Sequence, residues 1–204
     1  GRNGLEYSDD MFNSLSKGSA YFIQAETKKA EKLVGNNIEV TIKAADKAEA
    51  EKWGKLYSVA GAEVQVDNAN VSIKGDLGSI MKAALADSDA MYYNQGDKIS
   101  GKYGIEPREA TYGWYNSLKK VDGELKKQSR FTESSAINSA VQKGIEPAYN
   151  YYGIEIKYVR DNVGVVTFLL LFYLIYTMWY GFAIYYLCDG FGITMTKAAK
   201  KAEA

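Results

Sequence analysis

Hydrophobic positions along this chain change their period several times, and each change marks an expected element. Phe12, Leu15, Phe22, Ala30 and Leu33 recur at roughly helical spacing. Ser8-Asp9-Asp10 suits the positive end of a helix dipole and Gly35-Asn36-Asn37 a left-handed cap, so one helix is expected over about 9–34. Ile38, Val40 and Ile42 then alternate with Glu39 and Thr41, as in a half-buried strand. Asp46 can cap a following helix with the stripe Ala50, Trp53 and Leu56 or Tyr57, closed by Gly61. Val64 and Val66 alternate, Asp67-Asn68 marks a turn, and Val71 and Ile73 alternate again, which predicts a hairpin. Asp76 precedes Ile80, Met81, Ala84 and Leu85, a short helix reaching about Tyr92.

Residues 94–106 are rich in glycine and charge and read as a linker or exposed loop. Pro107 fits the first turn of a helix whose seam is Trp114, Leu118, Val121 and Leu125. Ile137, Ala140, Val141 and Ile145 form a second stripe, and the two together predict an α-hairpin. Pro147 would start a helix that runs on into the next segment, with Tyr149, Tyr151, Tyr152 and Tyr158 flanking a membrane surface.

From Val163 to Cys188 the chain has 26 residues without a charge. About 20 suffice to cross a hydrocarbon core of roughly 30 Å, so a single transmembrane helix is expected there. Its extra length implies tilt or overhang into the headgroups. Tyr173 and Tyr176 fall near its centre, where a phenol hydroxyl needs a hydrogen-bond partner that lipid does not offer. At 100° per residue Phe172, Tyr176, Trp179, Ala183 and Tyr186 form one stripe, while Leu170, Ile175 and Met178 point mostly elsewhere. Large rings beside one small residue suit interlocking with a partner helix better than uniform lipid, so this stripe is the expected partner-helix face.

The fold class expected is therefore α+β: an N-terminal helix (1–36), a small antiparallel βαββα unit (37–93), a linker (94–106), a helical hairpin with a pre-membrane helix (107–160), the transmembrane helix (163–188) and a polar tail (189–204). Lys143, Lys157 and Arg160 precede the span and Lys197, Lys200 and Lys201 follow it, so flanking charge does not orient it. The chain opens on Gly1 rather than Met, and on that ground the polar domain is expected to be extracytoplasmic and the tail cytoplasmic.

Composition removes whole classes of function. The chain has no histidine, which excludes a Ser-His-Asp triad and axial His ligation of haem. Cys188 is the single cysteine, so neither an intrachain disulfide nor a thiolate metal cluster can form. Lysine and arginine together number 25, as do aspartate and glutamate, and no basic excess points to nucleic acid. Gly96-Asp97-Lys98-Ile99-Ser100-Gly101-Lys102-Tyr103 resembles a phosphate-binding loop, but Tyr103 stands where a small hydroxyl must ligate magnesium. Asp87 and Asp89 are spaced like the start of a calcium loop, but Tyr92 and Lys98 occupy the positions that need Gly and Glu, so they read as a helix-end carboxylate pair. Neither a catalytic, a cofactor-binding nor a metal-binding residue is assigned. The leading expectation is a non-catalytic subunit of a larger integral-membrane complex, redox or transport, with other membrane subunits and the bilayer as partners. The alternative is a membrane-tethered binding or sensor domain that recruits a soluble partner. An enzyme with a carboxylate-based site ranks last.

Overall fold

The computed structural model describes residues 3–193. Residues 1–157 form one compact unit, and a second begins at Tyr158. The class is mixed α+β, mostly helical, with one three-stranded antiparallel sheet.

Helix α1 (Gly4–Ser19) starts earlier than the Ser8-Asp9-Asp10 signal. Asn3 accepts the Glu6 amide at 2.9 Å, and the Glu6 carboxylate accepts the Asn3 amide at 3.2 Å, a reciprocal capping box. The single helix expected over 9–34 is two helices, α1 and α2 (Ile23–Glu31). The break has a side-chain cause. The Tyr92 hydroxyl donates to the Lys17 carbonyl, and the Tyr21 hydroxyl reaches Asp89 at 2.6 Å, which turns the chain away from the α1 axis. The inward face changes with it: Phe12 and Phe22 are exposed, while Met11, Leu15 and Ile23 are buried.

Strand β1 (Asn37–Lys43), helix α3 (Lys47–Val59), strands β2 (Glu63–Asp67) and β3 (Asn70–Asp76) and helix α4 (Leu77–Tyr92) follow in chain order. The sheet order is β1-β3-β2, both pairings antiparallel. The alternation places Ile38, Val40, Ile42, Val71 and Ile73 on the buried face. Asn68 closes the hairpin with φ +52°, a left-handed conformation asparagine tolerates. Asp46 and Asp76 cap α3 and α4 through the amides of Glu49 and Ser79. Gly78 lets the first turn of α4 approach the backbone of Leu33 and Val34, where a Cβ would come within 2.4 Å of the Val34 nitrogen.

Residues 94–106, expected to be a linker, hold helix α5 (Gly96–Tyr103), which ends on Gly104 at φ +63°. Ile99 and Tyr103 anchor it in the core. Helix α6 (Pro107–Lys127) and helix α7 (Phe131–Ala140) make the hairpin, and both expected seams are buried throughout. A π-helical turn, Val141–Ile145, joins α7 to α8 (Glu146–Asn150). Gly144 in this turn sits against Leu85 of α4, and its missing side chain leaves that room. The helix expected to run from Pro147 straight into the span stops at Asn150; Gly153 takes φ +88° and the chain reaches Lys157 without regular structure. One hydrophobic cluster spans from Ile23 to Ala148.

In the second unit a short 3₁₀ turn (Val159–Asn162) precedes helix α9 (Val163–Gly190). Of the tail, only residues up to Ile193 are described; Lys197, Lys200 and Lys201 lie outside the described residues.

Leu118 is 1% exposed in the α6–α7 seam. Leu118→Ala is expected to destabilise the folded chain by about 2–5 kcal/mol, the usual range for a leucine truncated in a packed core. Thermal unfolding of the detergent-solubilised protein checks this, and an unchanged transition would show the seam is not packed.

Candidate interface on the apolar helix

Helix α9 has 28 residues, and none of them is buried. At 1.5 Å per residue that is a rod of about 42 Å. A helix satisfies its own backbone hydrogen bonds, so the uncharged stretch from Val163 to Cys188 is compatible with a hydrocarbon surrounding. The same surface in water would be far larger than the apolar patches soluble proteins carry. Among the described residues this is the one helix long and apolar enough to cross a membrane.

The aromatic residues of α9 are ordered against one another. Phe168 stacks on Phe172 at 6.4 Å, Phe172 on Tyr176 at 6.4 Å and Tyr176 on Tyr180 at 6.3 Å, with interplanar angles of 24°, 15° and 17°. Phe172 and Tyr176 belong both to this ladder and to the stripe drawn from the sequence. The stripe continues through Trp179, Ala183 and Tyr186, whereas the ladder, stepping by four residues, drifts around the helix to Tyr180. All five stripe residues are exposed, Trp179 most of all at 76%. Rings at 168, 172, 176 and 180 recur every four residues, a spacing that permits stacking, while the rotamers decide whether it occurs.

Polar atoms on α9 divide into satisfied and unsatisfied. Thr177 donates its hydroxyl to the Tyr173 carbonyl at 2.7 Å, one turn back. The Tyr173 and Tyr176 hydroxyls reach no such acceptor among the described residues. A hydroxyl in an apolar medium without a hydrogen bond costs roughly 2–7 kcal/mol, so both call for an acceptor from outside the helix. Cys188 is a free, half-exposed thiol.

The first unit contains buried polar clusters, and each is closed on itself. Asp87 accepts the Lys102 ammonium at 2.9 Å, the Tyr103 hydroxyl at 2.5 Å and the Trp114 indole N–H at 2.8 Å. Burial and then the Asp87 carboxylate push the Tyr103 phenol up, so it stays a donor. The phosphate-loop look-alike is therefore helix α5, with its last tyrosine spent on Asp87. Asp89, two residues on, serves Tyr21 instead, so the two carboxylates are not a pair. Lys17 is fully buried, and its ammonium donates to the Ile154 carbonyl at 2.6 Å, the Tyr151 carbonyl at 3.0 Å and Asn94 Oδ1 at 3.3 Å. Desolvation lowers its pKa. Asp122 accepts Ser134 at 2.5 Å, Lys126 at 2.7 Å and Asn138 at 2.9 Å. None of these clusters was visible as a motif, because, apart from the i,i+4 pair of Asp122 and Lys126, each central charge meets partners 12 or more residues away. No group of His, Cys, Asp and Glu among the described residues is placed to hold a metal ion.

No family model, curated protein or solved structure matches this chain. The fold and the helix define a class only: a mostly helical α+β domain followed by one helix long and apolar enough to cross a membrane.

Burial opposes the charged form of Asp122, but the hydrogen bonds from Lys126, Ser134 and Asn138 outweigh it and hold its carboxyl below the ordinary range. A carboxylate lowered on folding stabilises fully above its unfolded value, about 3.9, and loses that contribution as pH falls through the folded value. Stability of the chain is therefore expected to drop on acidification below about pH 4, and Asp122→Asn to flatten the drop. Denaturant titrations of both proteins across that range test it; identical acid profiles would remove Asp122 as a cause.

Proposed function

We propose that this protein is a non-catalytic accessory subunit of a larger integral-membrane complex, of redox or transport type, that packs α9 against the spans of partner subunits. One observation carries the reading: a 28-residue helix, uncharged from Val163 to Cys188 and rich in large apolar side chains, with none of its residues buried within the chain. Lipid alone would accommodate the leucines, but two central tyrosine hydroxyls without acceptors and a row of stacked rings favour a protein neighbour. Stacking also restrains the rings in advance, which lowers the entropy lost when a partner docks. On this reading the βαββα stretch 37–93 is the frame on which the hairpin lies, and the polar domain serves as a cover outside the bilayer, extracytoplasmic, with the tail cytoplasmic. The absence of histidine and the self-contained carboxylate clusters fit a supporting role.

Topology gives the first test. With a single span, residues 1–160 and 197–204 lie on opposite sides. Protease added to sealed vesicles is expected to reach one of the two and spare the other; cleavage of both from the same side would refute a single crossing.

The interface gives the second. Cysteine probes at 172, 176, 179 and 183 are expected to trap a neighbouring subunit in native membranes, and probes at 170, 175 and 178 are not. Tyr176→Phe is expected to weaken assembly slightly, since hydrogen bonds between membrane helices average about 0.6 kcal/mol, and Tyr176→Ala to weaken it more through lost packing. If a lipid-soluble label reaches the whole stripe in intact membranes, α9 is a lone anchor, and a tethered domain recruiting a soluble partner becomes the better account.

A further inference from the structure

The two edges of the sheet differ in how much of their outward backbone is bonded. In an antiparallel ladder alternate residues turn both backbone groups toward the same neighbour. The tight turn at Asn68-Ala69 makes Asp67 and Asn70 a bonded pair, so Glu63, Gln65 and Asp67 face β3 and Val64 and Val66 face outward. By the same parity Asn37, Glu39, Thr41 and Lys43 face outward on β1. Two of the outward β1 carbonyls are in use. Arg130 Nη1 donates to the Asn37 carbonyl at 2.8 Å, and Gln128 Nε2 to the Glu39 carbonyl at 3.0 Å, both from the α6–α7 turn. Among the described residues nothing bonds the outward N–H and C=O of Val64 or Val66. Val66 is also 39% exposed, a β-branched apolar side chain at the rim.

The charges beside this edge select what can join it. Glu63 and Asp67 stand on the exposed face of β2, symmetrically about Gln65. Two copies pairing through a two-fold axis at Gln65 would align Val64 with Val66 and set Glu63 against Asp67 of the other copy. Like charges directly opposite are destabilising, so self-pairing in that register is disfavoured. A strand with apolar residues opposite Val64 and Val66 and a basic residue at each end would instead meet both carboxylates with opposite charge.

We propose that the outer edge of β2 is a docking site for an extended segment of another protein, of the pattern basic–apolar–x–apolar–basic, which adds a fourth strand to the sheet. Backbone hydrogen bonds to Val64 and Val66 supply the binding, and Glu63 and Asp67 choose the partner. This site is separate from the α9 interface, so either can fail alone.

The test uses the full chain in detergent and two synthetic peptides, one carrying Lys-Val-Thr-Val-Lys and the other Glu-Val-Thr-Val-Glu. Amide hydrogen exchange is read residue by residue. The lysine peptide is expected to slow exchange at Val64 and Val66 on the order of tenfold at saturation, with β1 unaffected, and the glutamate peptide to do nothing. The double variant Glu63→Lys/Asp67→Lys is expected to reverse the preference. Should that variant not fold, Glu63→Gln/Asp67→Asn is expected to abolish the discrimination between the peptides. Unchanged exchange at Val64 and Val66 with the lysine peptide, equal protection by both peptides, or a preference that survives charge removal would overturn the proposal.

Discussion

The first unit depends on how a buried carboxylate is satisfied. Asp87 lies on α4 with its side chain almost out of solvent, and an isolated charge there would be prohibitive. Three donors meet it, two from α5 and one from α6. Each must arrive from a definite direction, so the three helices are fixed relative to one another more tightly than apolar packing alone requires. Breaking such a cluster by removing one partner is costly, whereas an apolar substitute of equal volume for the whole cluster can be neutral. The cluster therefore contributes more to the uniqueness of the arrangement than to its gross stability. Tyr57, packed edge-on against Trp114 at 5.1 Å and bonded to Ser117, carries the same constraint from α6 to α3.

Lys17 repeats the logic with the sign reversed. Its ammonium is lodged among carbonyl oxygens of a segment with no regular structure, and Asn94 completes the set. Asn94 also accepts the Gly153 amide and donates to the Ile154 carbonyl, so one asparagine at φ +58° and one lysine order a stretch that has no ladder or helix to satisfy its backbone. Gly18 lets α1 lie close to the Lys157 carbonyl, where a Cβ would clash. α1 is held by these polar contacts and by Met11 and Leu15, which are buried but lie outside the main hydrophobic cluster.

These two clusters mark where the amino-acid sequence is hard to read. Period-two alternation at Ile38, Val40 and Ile42, the caps at Asp46 and Asp76, and the seams of α6 and α7 are local patterns, and local patterns were legible. The break between α1 and α2 was not, because Tyr21 and Tyr92 enforce it from residues far apart along the chain. The glycines and charges of 94–106 suggested a loop, yet Ile99 and Tyr103 anchor a helix through a partner sixteen residues upstream. In the π turn at Val141–Ile145, Gly144 meets Leu85, a contact between elements that no periodicity encodes. On α9 the stripe through Phe172 and Tyr176 came from helical geometry, and the stacking that joins those rings to Phe168 and Tyr180 depends on rotamers that spacing leaves open.

The two units differ in what they leave undone. Among the described residues the first has only two buried side-chain nitrogen or oxygen atoms without a partner, Glu26 Oε2 and Trp53 Nε1. Its unused capacity is on the backbone, at the β2 edge. α9 is the reverse case: its backbone is internally satisfied, and its unused capacity is in side chains, namely tyrosine hydroxyls and ring faces. On the proposals above, a partner for the first is recognised by extended main chain and charge, and a partner for the second by shape and one or two buried acceptors. The two kinds of recognition respond oppositely to solvent, since salt screens the carboxylates at β2 and leaves packing in a hydrocarbon medium untouched. A chain that carried both would be assembled on its complex through α9 independently of ionic strength, while anything gathered at the sheet edge would come and go with it.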